Sequence, residues 1–170
     1  MKKTLIILSI LILILVGKKE TEKITIPDKS IRIRVIANSN NLEDQLLKLK
    51  VKEKVTNKLY ENLENTKTLE EARNNIKENL NDIDAIVKKT LNNSDYSISY
   101  GNNYFPKKEL LGIDYDEGNY ESLVINIGES KGNNWWCVLF PPLCMIEADH
   151  NNTNNVEYKS KVLEILKNYK

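Results

Sequence analysis

The sequence predicts an α+β fold, in which an antiparallel or mixed sheet of about four strands packs against a long helical hairpin and a C-terminal helix. One strand pattern precedes two long helical patterns, three strand patterns then follow in a row, and a last helical pattern ends the chain. Strands that are gathered after helices, rather than alternating with them, are typical of α+β domains. A chain of 170 residues is long enough to bury the core of one such domain.

The N-terminal segment predicts an export signal or a membrane anchor ahead of this domain. Two lysines are followed by residues 4–17, which have no charge and are mainly Leu, Ile and Val. A short basic region followed by an apolar stretch of about 7–15 residues is the pattern of an export signal. A small-x-small cleavage site ending at Gly17 needs a small residue at position 15, and Leu15 is not small. Residues 1–17 are therefore interpreted as a signal peptide or as an uncleaved signal-anchor helix that attaches the chain to a membrane.

A charged linker and the first strand come next. Residues 18–29 are rich in charge and end in Pro-Asp-Lys, which predicts a linker before a single exported domain over residues 30–170. Residues 31–36 alternate with the period of a strand. Arg32 and Arg34 are on its polar side and are two of only three arginines in the chain. Arginine makes bidentate contacts that lysine cannot, so both are candidates for partner recognition, and an exposed edge or a salt bridge to a helix is the alternative.

Two amphipathic helical patterns follow the first strand. Asn41 can cap the first helix, whose apolar residues recur at every fourth position over residues 47–63. Thr68 begins a capping box at the start of the second helix, which is predicted to run without a break to Asn92. Because the connection is short, the two helices are expected to form an antiparallel hairpin.

The remaining strands and the last helix complete the predicted domain. Alternating patterns predict strands over residues 96–100 and 122–127, with a loop between them. The uncharged residues 135–146 predict a short buried strand followed by a corner at two prolines, since proline is excluded from central strands. Apolar residues at helical spacing over 158–169 predict the C-terminal helix.

The aromatic side chains of the uncharged run are candidate interface anchors. Trp135, Trp136 and Phe140 are three of the four Trp and Phe residues in the chain. Adjacent residues on a strand point to opposite faces, so one tryptophan can be core while the other anchors a partner. A wholly buried block and contact with a bilayer surface are the alternative interpretations.

The two cysteines allow three interpretations. In an exported protein Cys137 and Cys144 can form a disulfide across the proline corner. They can also be two buried thiols, or they can bind zinc together with His150, although zinc sites favour cysteine pairs with two to four intervening residues. His150, the only histidine, lies in an Asn-rich loop and is interpreted as solvated, with a catalytic Cys–His pair as the alternative.

Composition and motifs argue against several classes of function. The chain has 25 Lys and Arg against 24 Asp and Glu, so it lacks the basic excess of nucleic-acid-binding proteins, and no nucleic-acid partner is expected. The sequence contains no HExxH motif, nucleophile elbow or phosphate-binding glycine loop. No cofactor, metal, small-molecule substrate or enzymatic activity is therefore expected.

Two segments resemble the stage II sporulation protein R family. Residues 32–39 (RIRVIANS), together with residues 43–45 and 47–51 downstream, resemble the opening of that family. Residues 134–144 (NWWCVLFPPLC) resemble its most distinctive block, and short matches between the two segments fall in the expected order. The resemblance spans about residues 31–146.

This resemblance implies a signalling function. Members are made in the forespore and exported into the space between the forespore and mother-cell membranes. There they activate a membrane-embedded aspartic protease, which processes the precursor of the mother-cell sigma factor. The alternatives are an exported cell-wall or metal-dependent hydrolase that uses Cys137, Cys144 and His150, and a structural anchored protein of the spore envelope.

The expected partner is thus the protease, and the expected contact surface is a single face that combines the first strand with the uncharged run. The candidate partner-binding residues are Arg32, Arg34, Asn38, Trp135, Trp136, Phe140, Pro141 and Pro142.

Overall fold

A computed structural model describes residues 24, 26–27, 29–92, 94–110, 113–144 and 155–169 of the chain. The strands are β1 (Ile31–Ile36), β2 (Tyr96–Phe105), β3 (Lys108–Leu110), β4 (Ile113–Tyr115), β5 (Gly118–Ile127) and β6 (Asn134–Phe140). The helices are α1 (Leu42–Leu63), α2 (Leu69–Glu78), α3 (Leu80–Leu91) and α4 (Asn155–Asn168).

The central sheet is mixed and has the strand order β2-β5-β1-β6. β1 lies parallel to β5, with Ile33 opposite Leu123, and antiparallel to β6, with Arg34 opposite Trp136. β2 pairs antiparallel with β5. The predicted α+β class and the mixed sheet of four strands are confirmed, whereas the predicted signal or anchor helix over residues 4–17 lies outside the described residues. Among the helices that are described, none is both long and apolar enough to cross a membrane.

One face of the sheet is covered by the helices α1, α2 and α3. Apolar residues of β1, β5 and β6 point to this face and pack against the apolar stripes of the helices. The fully buried side chains of this layer include those of Ile33, Val55, Ile76, Ile83 and Leu123. The repeat of apolar residues along the helices thus forms the main core, as the sequence predicts.

The opposite face is partly covered by a second apolar cluster. It brings together Ile24 and Ile26, which precede β1, the small hairpin of β3 and β4, and Tyr158 and Val162 of α4. This cover hides the part of the sheet near Trp136 and Val138 from solvent. The sheet is therefore enclosed on one face and half-enclosed on the other.

Two predicted elements differ from the observed ones. The second helix is not continuous, because Asn79 leaves helical geometry (φ −94°, ψ 5°) and its side-chain amide donates to the carbonyl of Asn75 at 2.8 Å. The predicted turn and loop after Tyr100 instead continue β2 to Phe105 and then form β3 and β4. The caps were predicted correctly, since Asn41 accepts from the amide of Asp44 at 2.7 Å.

Candidate partner-binding site

Arg32 is buried, which overturns the expectation that it lies on a solvated side of the first strand. Its side chain is 1% exposed. The guanidinium carbon lies 3.3 Å from the ring centroid of Tyr120, 5.0 Å from that of Trp136 and 5.3 Å from that of Phe105. Arg32 is therefore part of the second apolar cluster and is not available to a partner on this surface.

The aromatic rings take the place of a carboxylate partner for Arg32. Its Nε and Nη1 atoms form no hydrogen bond in the part of the chain that the structure describes. Burial lowers the pKa of its guanidinium, and Tyr120 partly offsets that effect. Because the faces of aromatic rings are electron-rich, they attract the cation where water has been removed.

Arg34 remains half-buried and reaches the open part of the same face. Its Nη1 atom donates to the backbone carbonyl of Tyr104 at 3.4 Å, and burial lowers the pKa of its guanidinium. On this face Arg34 is followed across the sheet by Val124 and then by the exposed Ser99. The Arg34 guanidinium is thus a cation at the margin between the covered and open parts of the sheet.

The two tryptophans point to opposite faces, as predicted, and each packs against a different core. Trp136 is 5% exposed and contacts the rings of Phe105 and Tyr115 edge-on at 5.3 and 5.4 Å. Trp135 is half-buried beside the helical layer, with the Lys52 ammonium 4.9 Å from its ring centroid. Trp136 therefore shares a face with Arg32 and Arg34, whereas Trp135 points to the helical side, so the expected single surface is divided between the two faces of the sheet.

Phe140 and the prolines form a buried corner after β6. Phe140 is 5% exposed and packs edge-on against Tyr169 at 5.0 Å between ring centroids. Pro141 is buried and follows a cis peptide bond, while Pro142 is half-buried. Of these three candidates, only Pro142 presents surface to a partner.

The structure joins Cys137 and Cys144 in a disulfide, with 5.6 Å between their Cα atoms. A sulfur atom in a disulfide is not a thiolate, which is the form that attacks substrates or binds metals. His150 lies outside the described residues. Within the described ranges, no group of three or more His, Cys, Asp or Glu side chains is placed to hold a metal ion.

Asn38 uses its polar side-chain atoms to hold the chain together. Its amide donates to Asp44 Oδ2 at 3.0 Å, and its Oδ1 accepts from the backbone amide of Glu129 at 2.9 Å. The pKa of Asp44 is lowered, first by the hydroxyl of Ser39 and then by the Asn38 amide. Asn38 is therefore a positioning residue at the end of β1, and its amide is already engaged.

Tyr104 is an accessible residue that sequence analysis missed. Its side chain is 55% exposed, its backbone carbonyl accepts from Arg34, and its hydroxyl donates to Glu117 at 3.1 Å. Part of the signal was present, because Tyr104 is in step with the alternation of Tyr96, Ile98 and Tyr100, although Asn102 interrupts it. The Gly-Asn-Asn stretch before it was interpreted as a turn, although pairing with β5 keeps it extended.

The comparisons with known proteins match a stretch that includes both segments in which the sequence resembles a known family, residues 32–51 and 134–144. The model of the family described as "Stage II sporulation protein R (spore_II_R)" matches residues 27–150. Stage II sporulation protein R of Bacillus subtilis (strain 168) is 36% identical over 163 residues, which cover 86% of this chain and 73% of that relative. The comparison with solved structures gives no match. The chain therefore belongs to the stage II sporulation protein R family, and a role in sporulation follows from that membership.

Proposed function

We propose that this chain is a signalling protein that is exported from the forespore and activates the membrane-embedded aspartic protease that processes the mother-cell sigma factor precursor. The family match over residues 27–150 is the observation that supports this function most directly. The uncharged residues 4–17 support export into the space between the forespore and mother-cell membranes.

The proposed mechanism is differential binding without chemistry on the ligand. A ligand shifts a two-state receptor only as far as it binds one state better than the other. The chain would therefore have to contact a surface that the protease presents in its active state. The net charge of the chain is +1, so long-range steering is weak and selectivity must come from short-range contacts.

We place these contacts on a partner patch that consists of Arg34 and Trp135. Arg34 lies on the inner strand β1 and Trp135 on the edge strand β6, and they point to opposite faces of the sheet, so a partner that contacts both has to reach round the edge that β6 forms. Both are half-buried, so each is held in place and still presents surface. Arginine and tryptophan are among the residues enriched at the energetic centres of interfaces.

A double substitution tests this patch in the full chain. Replacing Arg34 and Trp135 with alanine should lower processing of the sigma factor precursor in sporulating cells by about tenfold or more, because both anchors are removed. The matched control is Lys54→Ala, an exposed side chain on α1 that should leave processing unchanged. Thermal unfolding of each purified variant shows whether the fold is kept.

Binding to the protease provides the second measurement. The full chain should co-purify with the extracytoplasmic part of the protease, and the folded double variant should not. Normal processing of the precursor in cells that carry a folded double variant would contradict the assignment of the patch. Failure of the parent chain to bind the protease would contradict the proposed function itself.

A further inference from the structure

The outer side of α1 exposes a row of leucines that no described element covers. Leu42 is 76% exposed, Leu46 is 49% exposed and Leu49 is 47% exposed. They are three of the four large apolar side chains that are exposed among the described residues. A different side of α1, which includes Val51, Val55 and Leu59, is fully buried against the sheet. The helix therefore has two apolar sides. One packs in the core of the domain, and the other is exposed.

The spacing of this leucine stripe (Leu42, Leu46 and Leu49) is that of a helix-pairing seam. The residues are separated by four and then by three positions, which places them on one side of the helix. This is the d-a-d spacing of a heptad repeat, whose apolar residues insert between those of a facing helix. The same spacing puts Glu43 and Lys50 at equivalent e positions, one heptad apart on the same flank.

The two charged side chains on that flank, Glu43 and Lys50, are too far apart to pair within one helix, but they can pair between two copies. Glu43 and Lys50 are both exposed, and neither forms an ion pair with another described residue. In an antiparallel pair of identical helices, each e position faces an e position of the partner. Glu43 of one copy then meets Lys50 of the other, and the contact occurs twice by symmetry. A parallel pair would instead bring Lys50 against Gln45 and leave Glu43 without a cation.

We propose that α1 docks antiparallel onto α1 of a second copy of this chain through the leucine stripe. In this register Leu46 of each copy packs against Leu49 of the other at the centre, Leu42 lies at each end of the contact opposite the exposed Glu53, and the Glu43–Lys50 pairs close one flank. The interface is short, so the dimer is of the weak class that buries less than about 1,200 Å² in total. The inference does not depend on the protease and goes beyond the proposed function.

A zero-length carbodiimide cross-linker tests the contact in the full chain reconstituted into lipid vesicles. The reagent joins a carboxylate and an amine only when they are in contact. In a mixture of isotopically light and heavy chains, it should give a Glu43–Lys50 link between copies, identified by mass spectrometry. Within one helix the two side chains are separated by two turns, about 10 Å, so a link inside one copy is not expected.

Variants then separate this contact from other modes of association. We expect an at least tenfold loss of the linked dimer in each of the variants Leu46→Asp, Glu43→Lys and Lys50→Glu. Because two of these variants remove a linked group, a second cross-linker that joins other lysines reports the amount of dimer, and this cross-link should decrease as well. The double reversal E43K/K50E should restore the dimer, because it recreates both pairs with exchanged signs. Glu61→Lys, an exposed position further along α1, is the matched control, and thermal unfolding verifies the fold of each variant.

Any of three results would overturn the proposal. The first is a chain that remains monomeric in the vesicles. The second is a dimer that persists in Leu46→Asp, which would place the contact elsewhere in the chain. The third is a leucine stripe that becomes covered only when anionic lipid or the protease is added, and not by a second copy. That result would assign the stripe to the lipid or to the protease.

Discussion

Arg32 and Arg34 are two residues apart on one strand, yet their environments differ. Arg32 is enclosed by Tyr120, Trp136 and Phe105, whereas Arg34 meets that cover at the ring of Phe105, 5.8 Å from its centroid, and donates to the backbone carbonyl of Tyr104. The difference arises from residues far away in sequence, because the cover belongs to segments before β1 and after β2. The alternation of the strand gives only the face of each arginine, so sequence analysis placed both on the polar side and could not distinguish them.

Substitutions of Arg32 should show that shape and apolar contact matter there more than charge. Arg32→Met keeps much of the volume and removes polar atoms that lack hydrogen bonds, so it should change the free energy of unfolding by less than about 1.5 kcal/mol. Arg32→Ala leaves a cavity among the rings and should cost about 3 kcal/mol. Urea unfolding of the two variants measures the difference.

The methionine variant should also support processing of the sigma factor precursor by the protease at the parent level, because Arg32 is not part of the partner patch. Equal destabilisation by Met and Ala would contradict this interpretation and would make the attraction between the cation and the rings the dominant contribution.

At the scale of elements, the loop between β5 and β6 fixes the end of the sheet. Its backbone amides at Lys131 and Gly132 donate to the carbonyls of Asn38 and Ala37 at 3.0 and 2.9 Å. The ammonium of Lys48 on α1 donates to the carbonyl of Asn133 at 3.2 Å. Through these bonds the loop aligns β6 and the first turns of α1 with the end of β1, close to the partner patch.

Gly132 should be the most sensitive glycine of this loop to a purely steric change. A Cβ atom there would overlap the backbone oxygen of Ser39, and backbone cannot rotate away. Gly132→Ala should therefore lower the free energy of unfolding by about 1–3 kcal/mol. Gly101→Ala is the matched control, since a Cβ atom at that position has no heavy atom within 4 Å.

Chemical denaturation compares the two glycine variants. A Gly132→Ala variant as stable as Gly101→Ala would contradict the close approach of the β5–β6 loop to the backbone of Ser39, between β1 and α1. It would also contradict the role of the β5–β6 loop in setting the geometry of the partner patch.

Elements with a strong local signal were predicted well, and elements that depend on distant partners were not. The periodic apolar residues of α1 and the capping box at Thr68 are local, and the structure contains both features. The strands β3 and β4 have three residues each and exist because they pair with each other and cover Trp136. No alternation of useful length marks them, so the sequence indicated only a loop.

At the scale of the whole molecule, one ion pair ties the helical layer to the sheet. Arg73 of α2 donates from Nε and Nη2 to the two carboxylate oxygens of Glu121 at 2.8 and 2.9 Å. The hydroxyl of Tyr100 donates to the same carboxylate at 2.7 Å. Arg73 lowers the pKa of Glu121, with a further contribution from Tyr100, while burial acts in the opposite direction.

This pair should make the stability of the fold depend on acid pH. The pKa of Glu121 is lower in the folded chain than its ordinary value of 4.5, so the unfolded chain binds the proton more readily. The stabilisation is complete above pH 4.5 and decreases as the pH falls through the depressed pKa. Glu121→Gln should lower the free energy of unfolding at neutral pH by at most about 1 kcal/mol and should flatten its pH dependence below 4.5.

Urea unfolding between pH 7 and pH 2 measures that slope, and Glu61→Gln on the exposed side of α1 is the control. Asp44, whose pKa is also lowered, remains in both variants and adds a slope of the same sign. An unchanged slope in Glu121→Gln would contradict the role of the Arg73–Glu121 pair.

The position of β1 between β5 and β6 has a consequence for the order in which the molecule assembles. β1 is synthesised first, but both of its neighbours in the sheet come from the last third of the chain. The helices α1, α2 and α3 are close to one another in sequence, so they can associate before β5 and β6 have paired with β1. Pairing between distant segments is slow to form. Such late closure of the sheet suits a chain that, as we propose, has to cross a membrane before it folds.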